Sequence, residues 1–171
     1  CALPIYTQSI ETEMSSLNKI IYKSIFNCNE KANKKKIQIQ LNAPIEYQAF
    51  VNVSLLEQAI INLIDNAIKY GPSDSIIEVT LTQTEKENLI IVKDNGEGIP
   101  EKHIPHLFER FYRVDKARSR QIGGTGLGLA IVKHIAIAHK GYVSVKSKPK
   151  KGSEFTISLP KININKEAFH V

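Results

Sequence analysis

The stretch SLLEQAIINLIDNAIKY, residues 54–70, decides how the rest of the chain is read. Leu56, Ala59, Ile60, Leu63, Ile64 and Ala67 recur at i, i+3 and i+4 and make one apolar helical face. Asn62, Asn66 and Lys69 step by four and three and share a second face. Ser54 followed by Glu57 has the form of a capping box, and Gly71-Pro72 ends the segment. The spacing predicts a core helix. Its polar row is either a solvated face or a seat for a hydrated magnesium ion and the phosphates it carries. Magnesium takes hard oxygen ligands and keeps several waters.

Strand patterns surround this helix. Residues 37–41 alternate strictly, and 48–53 lead into the helix. Residues 17–31 carry a helical period, and a weak alternation over 5–13 suggests a strand. Beyond Pro72, residues 76–84 and 89–93 read as strands joined by a turn, and 142–147 and 153–159 as a second pair. Mixed helices and hairpin-paired strands predict an α+β two-layer sandwich with a mostly antiparallel sheet. One domain over 1–160 and a polar tail over 161–171 are expected. Residues 101–124 lack a long period and read as short helical turns and a loop.

The chain has 171 residues, 42% hydrophobic and 23% charged, as in ordinary globular proteins. No apolar run is long enough to cross a bilayer. Cys1 and Cys28 make no disulfide framework, which points to a reducing compartment, and no Cys/His cluster has zinc spacing. The net charge of +6 could serve nucleic acid, a membrane surface or phosphate ligands. No continuous basic recognition helix or interleaved aromatics argue for nucleic acid.

Two glycine-bearing stretches could carry chemistry. DNGEGIP, 94–100, follows a strand. Asp94 there could accept from an exocyclic amine while Gly96 and Gly98 leave room for a flat ring; a type I′ hairpin turn is the alternative. GGTGLGL, 123–129, opens an apolar helix running through His139. It could present backbone N–H groups to phosphates or be a flexible turn. It is neither a Walker loop nor a dinucleotide fingerprint, since no Gly-Lys-Ser/Thr follows and Leu129 stands where a small residue is needed.

Taken in order, the amide-bearing helix, D-x-G-x-G after a strand, G-x-G-x-G opening a helix and Lys151-Gly152-Ser153 before a final strand resemble the Bergerat-type ATP-binding fold. With HLFERFY, 106–112, they are similar in detail to the catalytic domain of bacterial sensor histidine kinases. The resemblance implies ATP and Mg2+ as ligands. It implies Asn66 on the metal, Asn62 near the phosphates, Lys69 on a phosphate and Tyr70 over adenine or ribose. It implies Asp94 on the adenine amine, with Gly96, Gly98, Ile99 and Thr156 shaping the base pocket. Gly124, Thr125, Gly126, Leu127 and Gly128 would hold phosphates. Residues 101–123 would be a lid hinged on Phe108 and Phe111, with Arg110 or Arg113 available to the γ-phosphate.

Kinases of this kind phosphorylate a histidine on a helical hairpin, normally followed by an acidic residue. His103, His106, His134, His139 and His170 are followed by Ile104, Leu107, Ile135, Lys140 and Val171. The resemblance therefore implies a monomeric ATP-binding piece from the cytoplasmic portion of a larger, membrane-bound sensor kinase, whose partners are its own dimerisation hairpin and, through the parent kinase, a response regulator. Gyrase- and chaperone-type ATPases place a glutamate general base where Asn62 stands, so slow hydrolysis is expected here. A module that binds ATP without transferring it stays open as an alternative.

Overall fold

The computed structural model describes residues 10–114 and 123–161. The expected strand over 5–13 falls largely outside these residues, as do most of the tail and 115–122 of the lid. The element order is β1 (Glu13–Ser16), α1 (Leu17–Lys34), β2 (Gln38–Asn42), β3 (Gln48–Val51), α2 (Val53–Tyr70), β4 (Ile76–Gln83) and β5 (Glu87–Asp94). A 3-10 helix (Glu101–His106), α3 (Gly128–Ala138), β6 (Tyr142–Ser147) and β7 (Ser153–Pro160) follow. Among the described residues a five-stranded sheet runs β2-β4-β5-β7-β6, and β1 pairs with β3 in a separate antiparallel ribbon. Only β2 and β4 pair in parallel within the five-stranded sheet, as expected for a mostly antiparallel sandwich.

The sheet has two unlike faces because its strands alternate. Ile77, Val79 and Leu81 of β4, Ile90 and Val92 of β5, and Phe155, Ile157 and Leu159 of β7 are buried on the helix side. Their neighbours Glu78, Thr80, Ile91, Lys93 and Thr156 belong to the opposite face. The three helices cover the first face, with α2 packed between α1 and α3. Leu56, Ala59, Ile60, Leu63, Ile64 and Ala67 are all buried, as their spacing requires.

The start of α2 departs from the expected capping box. Asn52, not Ser54, is the cap: its side-chain oxygen accepts from Leu55 N at 3.0 Å. Glu57 is drawn away to α1, where it accepts from Asn27 Nδ2 at 3.0 Å and pairs with Lys23 at 2.8 Å. The cap is held from behind by buried His139. His139 Nδ1 lies 2.7 Å from the Ile135 carbonyl, and Nε2 accepts from Asn52 N at 3.0 Å. That pair of partners fixes the tautomer protonated on Nδ1. His139 is thus a packing residue, and His134 is exposed. At the other end of α2, Lys35 Nζ donates to the carbonyls of Ile68, Lys69 and Gly71 at 2.7, 3.3 and 2.9 Å. A cation there also complements the helix dipole.

These contacts assign the cap to one residue. Asn52→Ala should lower the unfolding free energy by about 1 kcal/mol, while Ser54→Ala should change it by less than about 0.5 kcal/mol. Urea denaturation of the two variants checks this; a larger loss at Ser54 would contradict it.

Candidate functional site

The helix face left over from core packing opens into a cavity of about 580 Å³. Asn62, Asn66, Lys69 and Tyr70 of α2 all line it. They line it because the sheet, α1 and α3 take the apolar face, and the polar row is the remainder. Asn62 Nδ2 reaches toward the Gly128 carbonyl at 3.5 Å, which ties α2 to the start of α3. The half-buried Asn66 amide and the Lys69 ammonium have no side-chain partner among the described residues.

Asp94 closes β5 at the cavity wall, 8% exposed. Residue 94 is not part of a hairpin turn, since β5 pairs with β4 and β7 and Asp94 lies opposite Ser153. Its Oδ1 accepts from Gly96 N at 2.7 Å. Burial raises the Asp94 carboxyl above its usual 3.8, against the lowering effect of the Gly96 and Ser153 backbone N–H groups. Gly98 and Ile99 also line the cavity. Gly98 has φ +69°, and a β-carbon there would stand 1.9 Å from the Lys148 carbonyl oxygen, so this loop lies backbone to backbone against the β6–β7 turn.

Gly124, Thr125, Gly126, Leu127 and Gly128 border the same cavity just before α3. Gly126 has φ +73°, and a β-carbon would meet the Phe111 backbone at 2.9 Å. Phe111 itself has φ 64°, and its N–H donates to Gly126 O at 2.9 Å. The segment after the 3-10 helix is therefore stapled to the glycine segment at Phe111. Phe108 is anchored separately, with its ring edge on Phe155 at 6.3 Å between centroids. Arg113 lines the cavity, and its Nε and Nη2 are buried without a hydrogen-bond partner among the described residues.

Three expected residues stand elsewhere. Arg110 is exposed and does not line the cavity. Gly96 lies behind the wall, where a β-carbon would meet Asp94 Oδ1 and the Tyr70 carbonyl at 2.8 Å. Thr156 sits opposite Ile91 and Ser144 on the far face of the sheet, because odd and even positions of β7 point to opposite sides. Ser153 and Phe155 line the cavity instead. The period-2 alternation of β7 was the signal for that register. Asp65 also lines the wall, and Lys31 Nζ holds its two oxygens at 3.0 and 2.8 Å. Nearby Cys28 is buried, and burial, with Asp65 adding to it and Lys31 opposing, pushes its thiol up to about 11.

Comparison with known proteins places this geometry. Residues 51–163 match the family described as histidine kinase-, DNA gyrase B-, and HSP90-like ATPase. The chain belongs to that ATPase family. The matched span holds α2, the Asp94 loop, the glycine segment and β7, the elements that wall the cavity. The sensor-like histidine kinase SenX3 of Mycolicibacterium smegmatis is 41% identical over 144 residues, 84% of this chain and 38% of that protein. The mycobacterial sensor histidine kinase MprB matches with a TM-score of 0.76 at 28% identity, covering 87% of this chain and 97% of that one. The catalytic domain of histidine kinase ThkA matches with a TM-score of 0.78 at 26% identity, covering 89% and 99%. The chain spans well under half the length of SenX3. No described helix is long and apolar enough to cross a membrane.

Asp94 gives this ATPase-family domain a pH signature. Its folded carboxyl keeps its proton above the pH at which the unfolded one, near 3.8, loses it. The native state therefore binds more protons in that window, and the Asp94 contribution to stability falls as pH rises through it. Carboxyl NMR should place Asp94 above 3.8, and Asp94→Asn should flatten the stability slope across the window. An Asp94 titration at or below 3.8 would contradict the buried site.

Proposed function

We propose that this chain binds Mg-ATP and donates the γ-phosphoryl group to a histidine on a separate helical hairpin, as the catalytic domain of a sensor histidine kinase. One observation carries the reading: a single cavity is lined by a buried acceptor-only carboxylate, Asp94, and by the cations Lys69 and Arg113, whose donors lack partners among the described residues. A base with an exocyclic amine joined to a polyphosphate satisfies both. The match to an ATPase family and the likeness to proteins named as histidine kinases support it.

On this reading Asp94 accepts from the adenine amine, with Gly98 and Ile99 beside the ring, Gly96 supporting the carboxylate and Tyr70 over adenine or ribose. The N–H groups of residues 124–128 and the Lys69 ammonium receive the phosphates. The fit of magnesium rests on Asn66, whose amide faces the cavity without a partner among the described residues and supplies a neutral oxygen. A bound ion would neutralise phosphate charge, and it needs few protein ligands because it keeps its waters. No group of three or more acidic, His or Cys side chains suited to a metal occurs among the described residues, so the site needs the nucleotide's own oxygens.

The transfer step forms a bond from an imidazole nitrogen of the acceptor histidine to the γ-phosphorus. The bond from that phosphorus to the β,γ-bridging oxygen breaks, and ADP leaves. The chain's own contribution is to position and to offset charge, and Arg113, which lines the cavity, would be the lid cation that does so. Asn62 cannot act as a general base for water, and Asp65 is engaged by Lys31, which supports slow hydrolysis. The domain over 1–160, the lid over 101–123, the cytoplasmic setting, a monomeric piece and a response regulator served by the parent kinase are parts of the same proposal.

Mixing the chain, Mg2+ and γ-labelled ATP with its cognate hairpin should label the hairpin histidine. Arg113→Ala should slow transfer by about 100-fold, the order of a lost transition-state donor, and Arg110→Ala by no more than a few-fold. Absence of label with the native chain, or equal loss in both variants, would contradict the proposal.

A further inference from the structure

Ser147, at the end of β6, was not singled out by any motif, yet its hydroxyl joins the two loops that wall the base side of the cavity. Ser147 Oγ accepts from Ile99 N at 2.8 Å, which pins the loop after Asp94 to β6. It donates to the Gly152 carbonyl at 2.8 Å, which closes the β6–β7 turn. It lies 2.9 Å from Ser153 Oγ. A serine hydroxyl has one hydrogen and two lone pairs. The Gly152 carbonyl can only accept and the Ile99 N–H can only donate, so the one hydrogen of Ser147 is committed to Gly152. The contact with Ser153 must then be made by the Ser153 hydrogen.

That assignment matters because Ser153 lines the cavity beside Asp94 and is 7% exposed. A free serine hydroxyl would rotate and serve a ligand as donor or acceptor. With its hydrogen turned toward Ser147, Ser153 keeps only lone pairs for the cavity. Asp94 likewise offers lone pairs, and its carboxylate already accepts from the Ser153 backbone N–H.

We infer that Ser147 is a specificity-determining positioning residue: by taking the hydrogen bond of Ser153 it makes the base end of the cavity all-acceptor, selecting a 6-amino purine against a 6-oxo one. This rests on the adenine reading of the cavity proposed above. Guanine would set its carbonyl oxygen against acceptors with no donor free to turn, and an unpaired buried acceptor is costly. Removing Ser147 would release the Ser153 hydrogen to donate to that carbonyl. A structural defect would weaken both nucleotides together; loss of this device would move them apart.

Calorimetry with Mg-ATP and Mg-GTP on the native chain, Ser147→Ala and Ser147→Thr reads the effect directly. In Ser147→Ala the preference for ATP over GTP should shrink by about threefold to tenfold, the range of one neutral hydrogen bond, with part of the change a gain in GTP affinity. Ser147→Thr should restore the preference. In a Ser153→Ala background, Ser147→Ala should leave the preference unchanged. Parallel loss of both affinities, or an unmoved preference, overturns the inference. Should Ser147→Ala fail to fold, Ser153→Ala alone decides: it should weaken ATP and spare GTP, and equal weakening of both overturns the inference. Failure of the native chain to bind ATP at all is a different result, which removes the adenine reading and this inference with it.

Discussion

Everything in this fold follows from α2 having to satisfy two solvents at once. Its apolar face is sealed between α1, α3 and the sheet, with Leu56, Ile60 and Ile64 fully buried. Once that face is spent, Asn62, Asn66 and Lys69 have one direction left, into the cavity. The helix cannot turn about its axis without exposing its apolar residues, so the rotation of the site is set by hydrophobic burial. Its position along the axis is set by polar contacts at both ends: the His139–Asn52 bond and the Lys35 ammonium on the last carbonyls.

The remaining walls are loops held to one another by close backbone packing. Gly98 against Lys148 and Gly126 against Phe111 leave no room for a β-carbon. Gly152 does the same against Asp94, where a β-carbon would stand 2.0 Å from the carbonyl oxygen. Such contacts make the glycines steric requirements of the site as well as flexible points. Charge then divides the cavity's chemistry. Asp94 is an acceptor that burial makes reluctant to ionise, while Lys69 and Arg113 bring positive charge with donors to spare. The proposed ligand, an amine-bearing ring tailed by phosphates, would answer both demands.

Much of this was legible in the sequence where a feature depends on local periodicity. The α2 faces, the strand pairs, Asp94 at a strand end and the glycines before α3 stand where spacing put them, because burial and backbone sterics write directly into residue order. The departures all involve register or partners from distant segments. The capping box at Ser54 and Glu57 fails because Lys23 and Asn27 of α1 compete for Glu57. Thr156 was displaced from the site by the pleat of β7, a one-residue matter that flips a side chain to the other face. Asp65 could not be read as a wall residue because its pairing with Lys31 spans two helices. That Arg113 borders the cavity and Arg110 does not depends on the local path through Phe111, whose positive φ no periodicity announces.

On the proposed function, three separate segments grip one nucleotide. Backbone amide NMR of the chain titrated with Mg-ATP tests it most directly. Concerted, saturable shifts are expected at Asn66 of α2, at Gly98 and Ile99 of the loop after β5, and at Gly126 and Gly128 before α3, all with one dissociation constant. Shifts confined to one of these segments, or dissociation constants that differ among them, would contradict it.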